Sequence, residues 1–362
     1  MKEKKKFIKV IVLYIYKKFI NILFLQRGFF KKNLNKEIIN IFFGGAYSGS
    51  KGGTLVKVKR LKQYFKEDRL NFNIVYLLSN SIYYDFKYLQ KIKNIIPIIH
   101  NQNGVFYTSW YAGDCNIENK KMSKQLHISD YVLFQSKFCK LSSDKYLGVR
   151  EKNFEIVYNA VDLKKFSPIQ KNFEINEIKV LMTGTFRPYM IKGVESAINA
   201  MAILKKKYQI CLTIAGFVDN FSKKYLEKLI IKNKLEKNIS FTGTYDQEVA
   251  EKIYRANDIY FFFVQNPPCP NALIEAIACG LPAIYSDSGS AKEIVEKGGI
   301  GVTCPLSWEE FYFLDENEIA KSTEQIINNY SYFSKQARIS AINKHDINSW
   351  ILKHEQIFKN YL

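Results

Sequence analysis

The chain has 362 residues, 47% of them hydrophobic and 15% aromatic, which is enough for two domains with separate cores and excludes a disordered chain. It carries 54 Lys or Arg against 34 Asp or Glu, a net charge of +20. No helix-turn-helix, zinc or RNA-binding signature accompanies that charge, so an anionic membrane surface or a phosphate-bearing substrate fits it better than nucleic acid.

Residues 1–36 hold eleven Lys or Arg and one acid, Glu3, half of the net charge in a tenth of the chain. Residues 7–25 are apolar but interrupted by Lys9, Lys17 and Lys18, a poor membrane span with no small-residue cleavage site after it. Two readings remain open. One is a basic helix lying in the membrane interface, lysines on lipid phosphates and Ile, Phe and Leu in the acyl boundary; the other is a segment packed on the protein body or a basic leader.

Residues 37–43 read as a buried strand, followed by Gly44-Gly45, a second glycine pair at Gly52-Gly53 and a helix over 54–65. Strand, Gly-rich turn and helix suggest a Rossmann-like unit, although the spacing is not the dinucleotide fingerprint. Residues 73–78 and 95–100 are further strand candidates. The second ends at His100, and a side chain at the carboxyl end of a parallel strand faces the ligand crevice of an open α/β sheet. Residues 130–134 read as another strand, and the boundary between halves falls at 165–175. In the second half, helix and strand alternate, with a helix expected over 247–255, and several strands end at small residues: Gly184, Gly216 and Gly243. That suits a parallel sheet whose carboxyl edge lies open to a ligand. Residues 347–362 place Trp350, Ile351, Ile357 and Tyr361 at helical spacing.

The six cysteines include no Cys-x-x-Cys pair and the four histidines do not cluster, which argues against a metal site and for reduced thiols in a cytoplasm.

The most informative segment is 266–293. Pro267, Pro268 and Pro270 forbid helix before Asn271, which is expected to cap the helix that follows. Leu273, Ile274 and Ile277 give that helix an apolar face, Gly280 stops it, and Pro282 opens a strand. A lone carboxylate, Glu275, thus sits one turn inside a helix presented by a stiff loop. Free N–H groups there attract anions, and the carboxylate can accept hydrogen bonds from sugar hydroxyls.

The run Glu275-Ala276-Ile277-Ala278-Cys279-Gly280-Leu281-Pro282-Ala283 resembles the donor-binding signature of glycosyltransferase family 4, the retaining enzymes of the GT-B fold. The resemblance covers roughly residues 37–362. It includes Asn159-Ala160-Val161-Asp162 with Phe166 and Pro168, where Tyr158 and Ala160 replace the usual Pro and Gly. It implies an α/β protein of two Rossmann-like domains with parallel sheets facing a central cleft. The expected division is a basic segment over 1–36, an acceptor-side domain over 37–168, a donor domain over 169–345, and a C-terminal helix over 346–362 returning to the first domain.

The resemblance implies that Glu275 binds the ribose of a nucleotide diphosphate sugar, alongside Asn271, Ala272 and Leu273 at the helix start. It implies that His100 contacts the reacting sugar, and that Gly52-Gly53 let backbone approach the diphosphate, unless they form a plain turn. Lys192-Gly193 matches the family's phosphate-binding pair, with Arg187 as the second cation. Two such cations neutralise the leaving diphosphate without a metal or other cofactor. Two departures stand out. Pro267 occupies the position of a family Glu that contacts the donor sugar, and Thr185 stands where the family Arg sits. The expected activity is transfer of a sugar, with retention, to an envelope glycan or lipid-linked acceptor. The alternative is a non-catalytic, sugar-nucleotide-binding partner of a membrane-associated transferase.

Overall fold

The structure, a computed structural model, describes residues 38–44, 46, 53–79, 86–169, 173 and 177–362, with Ile11, Val12, Tyr14, Ile15, Lys18, Phe19 and Ile22; of 53–55 it describes the backbone alone. Gly45, Gly52 and most of 1–36 therefore lie outside the described residues. The chain divides into two compact units, residues 1–106, 114–157 and 351–362 in the first and 107–113 and 158–350 in the second.

The first unit is built on β1 (Asn40–Phe42), α1 (Gly53–Leu61), β2 (Lys66–Glu67), β3 (Ile74–Leu78), α2 (Phe86–Ile92), β4 (Ile98–Gln102), α3 (Cys115–Ile128), β5 (Tyr131–Phe134), α4 (Lys137–Leu147) and β6 (Phe154–Ile156). Its sheet runs β2-β1-β3-β4-β5-β6, and every pairing is parallel. β3 and β4 are buried at all five positions each; β3 is apolar throughout, as a strand covered on both faces should be, whereas β4 ends in the buried polar residues His100, Asn101 and Gln102. Asp114 caps α3 through the Ile117 N–H, and Ser136 caps α4 through the Cys139 N–H.

The second unit carries β7 (Ile178–Phe186), α5 (Ile191–Leu204), β8 (Ile210–Val218), α6 (Asn220–Lys232), β9 (Ile239–Gly243), α7 (Ala250–Arg255), β10 (Ile259–Phe262), α8 (Asn271–Ala278), β11 (Ala283–Ser286), α9 (Ala291–Val295), β12 (Gly299–Val302), α10 (Glu316–Asn328) and α11 (Tyr330–His345). Its parallel sheet runs β12-β11-β10-β7-β8-β9. The order reverses between β7 and β10, and the carboxyl ends of those two strands flank the switch point where doubly wound sheets bind ligands. Both units thus have the α/β architecture that the alternating pattern predicts.

Several boundaries differ from expectation: the helix expected over 54–65 ends at Leu61, and the strand expected over 95–100 runs from Ile98 to Gln102. β7 does not stop at Gly184 but runs on to Phe186 beside β8. Gly216, at φ +132°, lies opposite Gly184, whose carbonyl oxygen would be 1.9 Å from a Cβ at 216; only glycine allows the strands to continue side by side there. α7 begins at Ala250 rather than Gln247, leaving Gln247 in a turn. α8 is capped by the extended Pro270, with no side-chain cap, so Asn271 is its first helical residue and not its cap.

The last helix, α12 (Ile347–Lys359), leaves the second unit, and residues 351–362 pack within the first. There Phe358 lies edge-on to Phe65 and Tyr76, with ring centroids 5.1 and 5.9 Å apart, and Lys353 pairs with Glu155 at 2.6 Å.

Candidate functional site

In the second unit the switch point is lined by a buried polar network. Thr183 of β7 meets the Tyr260 hydroxyl of β10 at 2.7 Å and the Tyr254 hydroxyl at 3.4 Å. Tyr254 donates to Glu275 Oε2 at 3.2 Å, and Gln247 donates to Oε1 at 2.8 Å. Glu275 is 4% exposed, so its carboxylate is buried and held from two sides. A carboxylate offers about four acceptor positions, more than a single donor fills. Burial pushes the hydroxyls of Tyr245, Tyr254 and Tyr260 well above the usual phenol range, and the neighbouring Glu275 charge adds to it. These phenols therefore remain protonated donors.

The loop before α8 is tied down at several points. Asn159 donates its side-chain amide to the Cys269 carbonyl at 2.9 Å, and the Ser290 N–H bonds the Pro267 carbonyl at 2.9 Å. The Asn266 N–H bonds the Ser288 hydroxyl at 3.1 Å, and Ser286 Oγ donates to the Val264 carbonyl at 2.6 Å. These bonds hold the start of α8, where Asn271, Ala272 and Leu273 stand. Asn271 Oδ1 is buried with no hydrogen-bond partner among the described residues. Leu273 faces the core, fully buried.

Lys192 lies in the first turn of α5, on the β7 side of the switch point. Its Nζ donates to the Phe311 carbonyl at 2.8 Å and sits 5.2 Å from the centre of the Phe313 ring. It lines a narrow pocket with Tyr189, Gly193, Phe263, Gln265 and Phe311. Gly193 is required there: a Cβ would come within 2.4 Å of the Phe263 carbonyl oxygen, so the first turn of α5 and the residue after β10 approach more closely than any side chain permits. Arg187 precedes a single 3-10 turn, Pro188–Met190, and is exposed. Glu293 accepts a 2.8 Å bond from the Tyr158 hydroxyl.

In the first unit, His100 is fully buried near the carboxyl end of β4, with its Nε2 2.9 Å from Gln102 Oε1. Burial drives its pKa down to about 4, with the Arg150 charge acting in the same direction and the Gln102 bond opposing. It is neutral at physiological pH and cannot act there as a proton donor through an imidazolium. On the adjoining position, Asn101 accepts from Lys57 at 2.6 Å, and Lys57 is only 4% exposed. Gly53 opens α1, close in sequence to Lys57.

Sequence reading missed Gln247 and Tyr254 around Glu275, and Gln102 and Lys57 in the first unit. The signal for Gln102 was present, since residues two apart on a strand share a face. Nothing in the sequence joins Tyr254 to Glu275, 21 residues on. Among the described residues no group of three or more His, Cys, Asp or Glu side chains is placed to hold a metal ion, and none of the six cysteines is in a disulfide.

Residues 164–341 match the family described as "Glycosyl transferases group 1". An uncharacterized glycosyltransferase of Methanocaldococcus jannaschii is 28% identical over 264 residues, 68% of this chain and 66% of the relative. Protein CapJ of Staphylococcus aureus is 30% identical over 224 residues, 60% of this chain and 51% of the relative. The match thus spans between about half and two thirds of the curated relatives' lengths. Among solved structures, Anabaena HepE in complex with UDP-glucose superposes with a TM-score of 0.65 at 15% identity, over 89% of this chain and 99% of that one. At that identity the likeness shows the fold, which is GT-B, and the family match and relatives support the GT-B superfamily.

Proposed function

We propose that the chain is a glycosyltransferase of family 4, which moves a sugar from a nucleotide diphosphate sugar to an acceptor with retention of configuration and without a metal. The observation that carries this reading is Glu275. A buried carboxylate, oriented by Tyr254 and Gln247 beside a sheet's switch point, is a receptor for the paired hydroxyls of a ribose.

In this reading residues 169–345 form the donor domain. The N–H groups of Asn271, Ala272 and Leu273 and the bare Asn271 Oδ1 receive the donor's phosphate and sugar. Lys192 and Arg187 neutralise charge on the departing diphosphate; Lys192 exchanges the Phe311 carbonyl for phosphate oxygens as donor binds. A uridine donor is favoured by the UDP-glucose complex of HepE. Residues 37–168, with the helix from 346 onward, form the acceptor domain, in which Gly52-Gly53 admit the diphosphate and His100 contacts the sugar.

The acceptor is a bacterial envelope polysaccharide, lipopolysaccharide or lipid-linked glycan, and the protein works at the inner face of the membrane, held peripherally by 1–36. Ile11, Val12, Tyr14, Ile15, Phe19 and Ile22 are helical, and all are exposed beside Lys18, a composition suited to the interface. Among the described residues no helix is long and apolar enough to cross a membrane. The rival reading, a non-catalytic nucleotide-sugar-binding partner, draws on Pro267 and Thr185, which stand where the family has a Glu and an Arg.

The test is nucleoside diphosphate release from a panel of UDP- and GDP-sugars with envelope extract as acceptor, beside Glu275→Ala and Lys192→Ala controls. Release from one donor, lost in both variants, is expected. Tight nucleotide binding with no turnover of any donor would transfer the case to the non-catalytic partner.

A further inference from the structure

His100 and Gln102 stand two residues apart on β4, on one face, and both side chains are fully buried. Gln102 Nε2 donates to the Gly104 carbonyl at 2.8 Å. A carbonyl only accepts, so the amide nitrogen must face Gly104 and the amide oxygen must face the imidazole. An amide oxygen also only accepts. The His100 Nε2 opposite it, 2.9 Å away, must therefore carry the ring proton. A neutral imidazole has one N–H, so Nδ1 is left as a bare acceptor. That Nδ1 is buried and has no hydrogen-bond partner among the described residues. A buried acceptor without a donor is unfavourable, and the natural remedy is a donor supplied by a ligand.

We propose that Gln102 is a positioning residue: it locks His100 in the Nε2–H tautomer so that Nδ1 accepts a hydrogen bond from a hydroxyl of the bound sugar. This rests on the reading of His100 as the sugar contact. The lock has a consequence for specificity. A ring presenting a lone pair selects a hydroxyl or another donor at that point on the sugar. It rejects a carboxylate or an ether oxygen, which the other tautomer would have accepted. His345, in the second unit, provides a built-in contrast. Its Nδ1 lies 2.7 Å from the Asn159 carbonyl, so it must carry its proton on Nδ1, the opposite tautomer.

The test is a long-range proton–nitrogen correlation spectrum of the uniformly 15N-labelled full chain, which separates the two tautomers by their cross-peak patterns. The wild-type chain alone decides the first point. His100, assigned by loss of its signals in His100→Asn, should show protonated Nε2 and bare Nδ1, and His345 the reverse. A His100 protonated on Nδ1 overturns the proposal. In Gln102→Met the His100 pattern should shift toward a mixture, and in Gln102→Glu, which keeps an acceptor against Nε2, it should hold. An unchanged tautomer in Gln102→Met would also sink the lock.

With UDP-glucose added, or whichever donor the panel identifies, the Nδ1 resonance should move upfield as its lone pair is engaged. In the assay, kcat of Gln102→Met should drop about tenfold with donor KM changed less than threefold, as for an interaction strengthened in the transition state. A donor that is turned over without moving the Nδ1 resonance overturns the hydroxyl contact. Failure of every donor to turn over, with the tautomer locked as described, counts against the transferase reading and not against the lock.

Discussion

The two units bring polar groups to the carboxyl edges of their sheets in opposite ways. In the second, Glu275 has both oxygens engaged, by Gln247 and Tyr254. In the first, His100 has one nitrogen engaged by Gln102 and the other without a hydrogen-bond partner among the described residues. The difference follows from acceptor capacity. A carboxylate with about four lone-pair positions can be held firmly and still receive hydroxyls, whereas a neutral imidazole has one acceptor and must leave it open to use it. Under the proposed function each unit receives a hydroxyl of the donor, Glu275 from the ribose and His100 from the sugar.

Acid should destabilise both units at once and gives the largest effect. His100 in the first unit and His345 in the second are each lowered to about 4 from the ordinary 6.5, in both cases chiefly by burial. Between those values the unfolded chain takes up protons that the folded chain refuses. Stability is therefore fully present above about pH 6.5 and falls as the pH drops toward 4, by up to about 3 kcal/mol per ring. Thermal melts from pH 7.5 to 4.5 read this directly; a flat profile would mean that neither ring is held neutral by burial.

Glu275→Ala separates the units. It removes the acceptor from Tyr254 and Gln247, and donor-dependent kcat/KM should fall about 100-fold, roughly 2.7 kcal/mol. The His100 tautomer in the first unit should not change. Gly193→Ala probes the close approach on the other side of the switch point. Its Cβ would stand 2.4 Å from the Phe263 carbonyl oxygen, and a loss of about 2 kcal/mol is expected in urea unfolding. Tyr254→Phe is the mildest. It deletes one of the two bonds to Glu275 and should weaken donor binding a few-fold, about 1 kcal/mol, by titration calorimetry. An effect equal to that of Glu275→Ala would mean that Tyr254, rather than the carboxylate, makes the donor contact.

The same asymmetry governs what the sequence made legible. The α/β alternation and the strands ending near small residues were visible as periodicity and punctuation, because buried parallel strands read as continuous apolar runs. In the second unit the prolines and Gly280 bracketed α8 closely enough to single out Glu275. The error at Asn271 has a local cause: Pro270, already extended at φ −76° and ψ 118°, takes the capping position and needs no side-chain bond. Gln247 was read as helical, yet it reaches Glu275 from the turn before α7.

The burial of Glu275 was not legible, because it depends on α7 and α8 coming together, and burial of a charged residue contradicts its composition-based expectation. In the first unit His100 was found by its place at a strand end. The role of Gln102 was not, since it depends on a carbonyl, Gly104, that only the folded backbone brings into range. Gly52 and most of 1–36 fall outside the described residues.

The most direct test of the central claim is calorimetric titration of UDP and GDP into the full chain and into Glu275→Ala. The account predicts one-site binding of one nucleotide by the wild-type chain, weakened at least about 30-fold, or about 2 kcal/mol, in the variant. Equal affinity in the two chains, or no nucleotide bound by a folded wild-type chain, would contradict it.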